Sequence, residues 1–297
     1  MHGIPYALAS YLLWGLLPIY WKLLKQVPAY EILAHRIVWS TVFILGLLLL
    51  QGRWFELKDM FNFKRKILFF SPLLLGANWF IYVWAVNASH IVDASLGYFI
   101  CPLLTVLLGV IFLKERLNLW QIMAVILVLV GVFYSIYQLG SFPWIALSIA
   151  ITFSLYSLIR KQVKVGPIVG LGWEVLVISP LALGFLLYLA FKGKIFFGNA
   201  NLKTNFLLIG TGIITTIPLI CYIHAVKKIK LTTMGILQYV APSCQLVVGV
   251  LLYQEKFSKD HLIVFGIIWL AILIYSLNSI LFRTSPVLAK PVIELPE

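Results

Sequence analysis

A chain of 297 residues that is 62% hydrophobic and only 11% charged is not a water-soluble domain, since soluble domains carry about a quarter charged residues. The net charge of +13 would suit a nucleic-acid partner in a soluble protein. Here the basic residues fall between long apolar runs, where the positive-inside bias puts them, so membrane topology accounts for them and no nucleic-acid partner is expected.

The bilayer core is about 30 Å thick and takes about 20 apolar residues to cross as a helix. Only helices or closed barrels satisfy their backbone groups in lipid. Runs such as Ile122–Tyr137 do not alternate as barrel strands would, so the expected fold class is an all-α integral membrane protein. Its ten transmembrane helices are read at 3–24, 31–51, 67–88, 94–114, 119–139, 142–160, 168–191, 205–226, 232–253 and 260–282. The first lacks a basic n-region and is too long for a signal h-region, so it reads as an uncleaved span.

Chemistry-bearing residues fall on these spans in chain order. The first carries Trp14. The second carries Glu31, His35, Arg36 and Trp39, with Glu31 and His35 four apart on one face. Arg36 lies five residues inside the span. A charge at mid-bilayer costs at least about 2.5–3.5 kcal/mol, so it is expected to face a water-filled interior or a partner. Glu31, near its helix start, reads equally as an interfacial charge favoured by the helix dipole, and so does Glu174. The third span offers Asn78, Trp79, Tyr82 and Trp84, with Asn87 near its end; Asn78 reads either as a cavity ligand or as interhelical glue. Trp14, Trp21, Trp144 and Trp173 lie near span ends or flanks, and the aromatic belt accounts for most of them. Thr215, Thr216 and Pro218 form a polar break in the eighth span.

Pro102 and Pro242 interrupt the fourth and ninth spans at equivalent depths. A proline frees the carbonyl one turn back, here at Tyr98 and Gln238. Paired interruptions of this kind point to a transport site, with Tyr98, Gln238 and Tyr239 lining a cavity; the plainer alternative is a packing kink. Cys101, Cys221 and Cys244 lie inside apolar runs without metal-type spacing, so neither a disulfide framework nor a metal is expected, and no cofactor is indicated.

The chain also repeats itself. At a shift of 140 residues Tyr82 meets Tyr222, Ala85 and Val86 meet Ala225 and Val226, and Pro102 meets Pro242. Gly109 and Val110 then meet Gly249 and Val250, and Glu115 meets Glu255. Five spans per half is odd, so the second half enters the membrane upside down. The loop Ser89–Asp93 has no Lys or Arg, whereas its counterpart carries Lys227, Lys228 and Lys230, as opposite sides require. The domain reading is a first five-helix repeat over 1–140, a second over 141–283, and a cytoplasmic tail over 284–297. With the N-terminus inside, the inner connections and tail hold fifteen Lys and Arg against seven outside, which places both termini in the cytoplasm.

Several runs then resemble a known family. They are Trp14, Gly15 and Pro18; Glu31-Ile32-Leu33 before His35-Arg36; Asn78-Trp79 followed by Trp84-Ala85-Val86-Asn87; Ala94-Ser95-Leu96-Gly97-Tyr98-Phe99 with Pro102-Leu103; Thr215-Thr216-Ile217-Pro218-Leu219; and Gln238-Tyr239 with Pro242. Together they resemble the drug/metabolite transporter superfamily in its EamA branch, and within it the bacterial RarD permeases. The resemblance implies a multi-pass permease of the bacterial inner membrane, whose branch moves amino acids, other metabolites and drugs. Cys101 departs from it, standing before the proline where related runs carry Asn.

The function expected is therefore secondary transport of small metabolites or drugs, as an exporter or exchanger, by alternating access between two inverted halves. Its partners are a small-molecule substrate and the bilayer, with proton coupling through His35 as a narrower expectation. A membrane-embedded enzyme or a non-transporting subunit is the alternative. An enzyme is disfavoured because Asp59, Asp93 and Asp260 all lie in connections or at span edges and no span holds an acidic pair.

Overall fold

The computed structural model describes residues 3–58, 60, 69–88, 90–139, 142–254 and 259–281. Among these the chain is helical, without a strand. The helices are α1 (Ile4–Leu23), α2 (Ala29–Leu50), the single turn α3 (Phe55–Lys58), α4 (Phe70–Asn87), α5 (Ile91–Leu113), α6 (Leu119–Leu139), α7 (Trp144–Gln162), α8 (Pro167–Phe191), α9 (Leu202–Lys228), α10 (Leu231–Gln238), α11 (Val240–Val247) and α12 (Lys259–Leu281). A π turn over Val248–Leu252 follows α11.

Local chemistry sets the ends. Proline occupies the first turn of α1 and of α8, where its missing N–H has no helical acceptor to lose. The Asn201 side chain accepts from the Thr204 N–H to start α9 at 2.8 Å. Asn118 and Gln121 cap α6 reciprocally, each side-chain oxygen receiving the other's backbone N–H at 3.0 and 3.1 Å.

Among the described residues seven stretches are long and apolar enough to cross a membrane: α2, α5 from Asp93, α6, α7, α8, α9 and Leu231–Leu252. Phe70–Ala85 and Leu262–Leu277 are shorter apolar helices. At 20 residues α1 has the length, but its tyrosines, tryptophans, Pro18 and Lys22 dilute its hydropathy. Half of the central window of α5, of α7 and of α9 is buried, against 22% for α6 and 28% for α8. The first three therefore form the interior. The outer helices present side chains such as Phe133, Leu181 and Leu187, a surface suited to lipid and not to water.

The two prolines behave differently. Pro242 ends a helix: α10 stops at Gln238 and α11 starts at Val240, as expected where a proline removes an N–H and crowds the carbonyl four residues back. Pro102 does not break α5, which runs through it, contrary to the sequence expectation. Hydroxyls from neighbouring helices take up adjacent carbonyls: Tyr239 donates to Phe99 O at 2.7 Å and Ser154 to Cys101 O at 3.1 Å.

The 140-residue interval recurs in the backbone. α5 begins at Ile91 and α10 at Leu231. Lys114 and Gln254, also 140 apart, are the non-glycine residues with positive φ among the described residues, both at 53°.

The packing brings distant segments together. α5 packs on α7 and α10, α2 on α8 and α9, α1 on α9 and α11, α4 on α7, and α6 on α12. Several helix contacts leave no room for a side chain, and two of them are backbone against backbone. A Cβ on Gly212 would lie 2.4 Å from the Trp39 carbonyl carbon where α9 crosses α2, and one on Gly235 would lie 2.6 Å from the Pro102 oxygen where α10 crosses α5.

Candidate functional site

Arg36 is the centre of the most distinctive cluster. It projects from α2 into a space bounded by α1, α4, α5 and α9. Its Nε donates to Thr215 Oγ1 at 3.1 Å. The guanidinium carbon lies 5.0 Å from the Trp21 ring and 5.3 Å from the Trp79 ring, a cation–π arrangement. Tyr82 and Tyr98 are the phenols that interact electrostatically with it, and their rings meet edge to face at 5.8 Å. Tyr98 is 37% exposed although it belongs to an interior helix. It sits one turn before Pro102, above the point where α5 packs on α10; α5 makes no comparable contact with α11, which packs on α1. Tyr98 therefore stands where the two segments part.

Of the residues expected from sequence, Arg36, Trp79, Tyr82 and Tyr98 come together here. The others serve different contacts. Glu31 is fully buried, and its Oε1 accepts the Phe196 and Phe197 N–H groups at 2.9 and 3.0 Å, pinning the loop between α8 and α9. His35 lies 3.7 Å from that carboxylate, on the shared face expected, and accepts from Trp39 Nε1 at 3.2 Å. Asn78 donates to Ile149 O at 2.8 Å and Thr152 Oγ1 at 3.1 Å, joining α4 to α7. Gln238 donates to Cys101 Sγ at 3.2 Å, and Tyr239 is fully buried. These two close the α5–α10 seam, so Cys101 is a seam residue with Ser154 and Thr105 around it. Trp14 packs against Tyr11, Phe153 and Tyr222 in an aromatic wall. Thr216 is buried with its hydroxyl unpartnered among the described residues, and its neighbour Thr215 is the one that meets Arg36. Asn87 has a side chain outside the described residues.

Three features escape sequence reading. Trp21 passes for a belt tryptophan until α2 is seen beside it. Arg160 enters the sequence reading only as one of the fifteen inner-side basic residues, but it is fully buried and 3.5 Å from the fully buried Glu174, which also accepts from the Tyr156 hydroxyl at 3.0 Å. Glu115 receives the N-terminal amides of α10, and the signal for it was its place at the end of the repeated segment.

Among the described residues no group of three or more His, Cys, Asp or Glu is placed to hold a metal. What the Arg36 cluster offers is binding: one fixed cation, two phenols and two indoles.

A helical bundle with an apolar exterior and an arginine held among aromatics inside it is the architecture of a polytopic membrane protein. The chain belongs to the EamA-like transporter family, whose model matches it twice, over residues 1–137 and 142–277. It is 40% identical over 287 residues to the transporter YojE of Bacillus subtilis strain 168, covering 95% of each chain. It is likewise 40% identical over 280 residues to the protein RarD of Escherichia coli strain K12, covering 94% of this chain and 95% of that one. The chloramphenicol-sensitive protein RarD of Pseudomonas aeruginosa is 31% identical over 287 residues, covering 93% and 94%. A solved crystal structure shares the fold with a TM-score of 0.73 at 18% identity, covering 96% of this chain and 99% of that one.

Proposed function

We propose that this protein is a secondary transporter of small metabolites or drugs, an exporter or exchanger, in which ten spanning helices form two inverted halves. The halves are residues 1–140 and 141–283, with 284–297 as a cytoplasmic tail. The observation that carries this reading is the recurrence of one backbone course at an interval of 140 residues, from the helix starts at Ile91 and Leu231 to the left-handed Lys114 and Gln254. The separate family matches to each half support it. Inverted repeats of this kind operate by alternating access around a site between the halves.

The packing carries the symmetry and also breaks it. α1 lies on α9 as α4 lies on α7, and α11 lies on α1 as α5 lies on α7. Yet α2 packs extensively on α9, while the equivalent pair α8 and α4 touch far less, and α10 but not α11 holds to α5. A transporter closed at one end and parted at the other has this asymmetry. With both termini cytoplasmic, as the Lys and Arg distribution favours, the Glu115 end is the inner one and the bacterial inner membrane is the setting. The conformer is then sealed inside and parted outside, with Arg36 and Tyr98 at the depth of the opening.

Counterflow into proteoliposomes tests the reading against amino acids, nucleosides and amphenicols; chloramphenicol is included because a relative's name carries it. Flux of one or more supports transport, and none across the panel argues against it. Proton coupling rests on the Glu31–His35 pair; flux that is unchanged when the pH gradient is collapsed removes it.

A further inference from the structure

The buried charges of this protein divide sharply by whether the protein itself answers them. Glu31 holds two backbone amides and Glu115 two more. Arg160 faces Glu174, and the amines of Lys161 and Lys227 reach the carbonyls of Ile229, Val163 and Val165. Arg36 is different. Its Nε is taken by Thr215, but its two terminal nitrogens meet no acceptor and its guanidinium no carboxylate among the described residues. Unlike the guanidinium nitrogens of Arg160, which are sealed from solvent without a hydrogen-bond partner, those of Arg36 keep accessible surface, and its neighbour Tyr98 is 37% exposed.

Resting on the transport reading, we propose that Arg36 receives the carboxylate of an anionic cargo, with the Tyr82 and Tyr98 hydroxyls as auxiliary donors. Thr215 fixes one edge of the guanidinium, and Trp21 and Trp79 restrain its plane. The edge left over carries the two parallel N–H groups that match the two oxygens of a carboxylate. A lysine would serve as a point charge but not as a fork. No acidic side chain of the protein competes for the position among the described residues, so a cation there is left for the solute to neutralise.

The test uses the purified full chain in detergent and its thermal midpoint, which specific binding raises by mass action. The probes are sodium acetate, benzoate, phenylacetate and succinate, each organic acid set against its neutral amide, with inorganic phosphate as a further arm. At least one carboxylate is expected to raise the midpoint while its amide does not. Arg36→Met should weaken its apparent affinity at least about tenfold, with Arg36→Lys intermediate. Should Arg36→Met itself fold poorly, Tyr82→Phe with Tyr98→Phe keeps the test open, because losing two donors weakens the carboxylate without removing the cation. Amides as effective as acids, a shift that survives Arg36→Met, no shift with any carboxylate, or a shift with phosphate alone would each overturn the assignment. Counterflow after the same protein is reconstituted into proteoliposomes separates the two readings. Flux of neutral solutes without carboxylate binding leaves transport standing and removes the anion site; carboxylate binding without flux does the reverse.

Discussion

The Glu115 carboxylate sits on the N-terminus of α10, taking the Leu231 N–H at 2.7 Å on one oxygen and the Thr232 N–H at 2.8 Å on the other. It stands just beyond the end of α5, after the left-handed Lys114, and is 8% exposed. Two of the four amides that a helix start leaves unsatisfied are answered by a charge the helix dipole favours. One side chain thus ties the end of α5 to the start of α10.

Glu115→Ala should loosen that seam. Two buried amides lose a charged acceptor, a loss of about 1.5–3 kcal/mol. Cys101 lies in the same seam and is 1% exposed, so it reports opening directly. In a background with Cys221→Ser and Cys244→Ser, maleimide labelling of Cys101 should accelerate in Glu115→Ala. Equal labelling rates would mean the carboxylate does not hold the seam shut.

Gly235 should tolerate nothing larger. Its absent Cβ would stand 2.6 Å from the Pro102 carbonyl oxygen and 2.7 Å from Val106 Cγ2. Gly235→Val must push α10 off α5, and overpacking of this kind typically destabilises by about 1–3 kcal/mol. The thermal midpoint of Gly235→Val should fall and Cys101 labelling should rise with it. A variant with unchanged midpoint and labelling would show that the seam yields without strain.

Breaking the buried pair one residue at a time should be worse than removing it whole. Arg160→Met strands the Glu174 carboxylate in the interior, an effect of about 3–5 kcal/mol. Arg160→Met combined with Glu174→Gln removes both charges and should recover most of the midpoint. If the double variant melts no higher than Arg160→Met, the two residues are not coupled as their 3.5 Å approach implies.

Flux should depend on the Arg36 cluster separately from folding. Arg36→Ala and Tyr98→Ala are expected to reach the membrane in normal amount, and to cut transport of whichever solute the wild type moves. Normal flux in both would shift the site away from the point where α5 and α11 part.

Much of the fold was legible from one dimension. The read span 119–139 is α6 from end to end, and 168–191 differs from α8 by a single residue. Hydrophobic run length works here because lipid thickness sets the length and the backbone must satisfy itself within each segment. The 140-residue interval was visible too, since proline and glycine mark backbone geometry wherever they occur. The difference in outcome between Pro102 and Pro242 was not visible, because a proline reads the same in sequence whether the helix runs through it or stops near it.

Site residues were legible only in part, and the misses share a cause. Arg36 was read as a cation that needs an environment, and its surroundings in the fold are Thr215, next to the Thr216 named from sequence, and Trp21, which sequence left to the aromatic belt. Adjacent helical residues point about 100° apart, and which direction faces Arg36 depends on how α9 lies against α2, 179 residues away along the chain. Arg160 was one basic residue in a loop count for the same reason: only the approach of α8 buries it against Glu174. The sequence by itself determined that this chain is a bundle of apolar helices, many of membrane length. Tertiary packing decided which polar groups satisfy one another and which is left open. Helix formation is local and repeats down the chain, whereas the pairing of buried polar groups is a property of segments that meet only in the folded state.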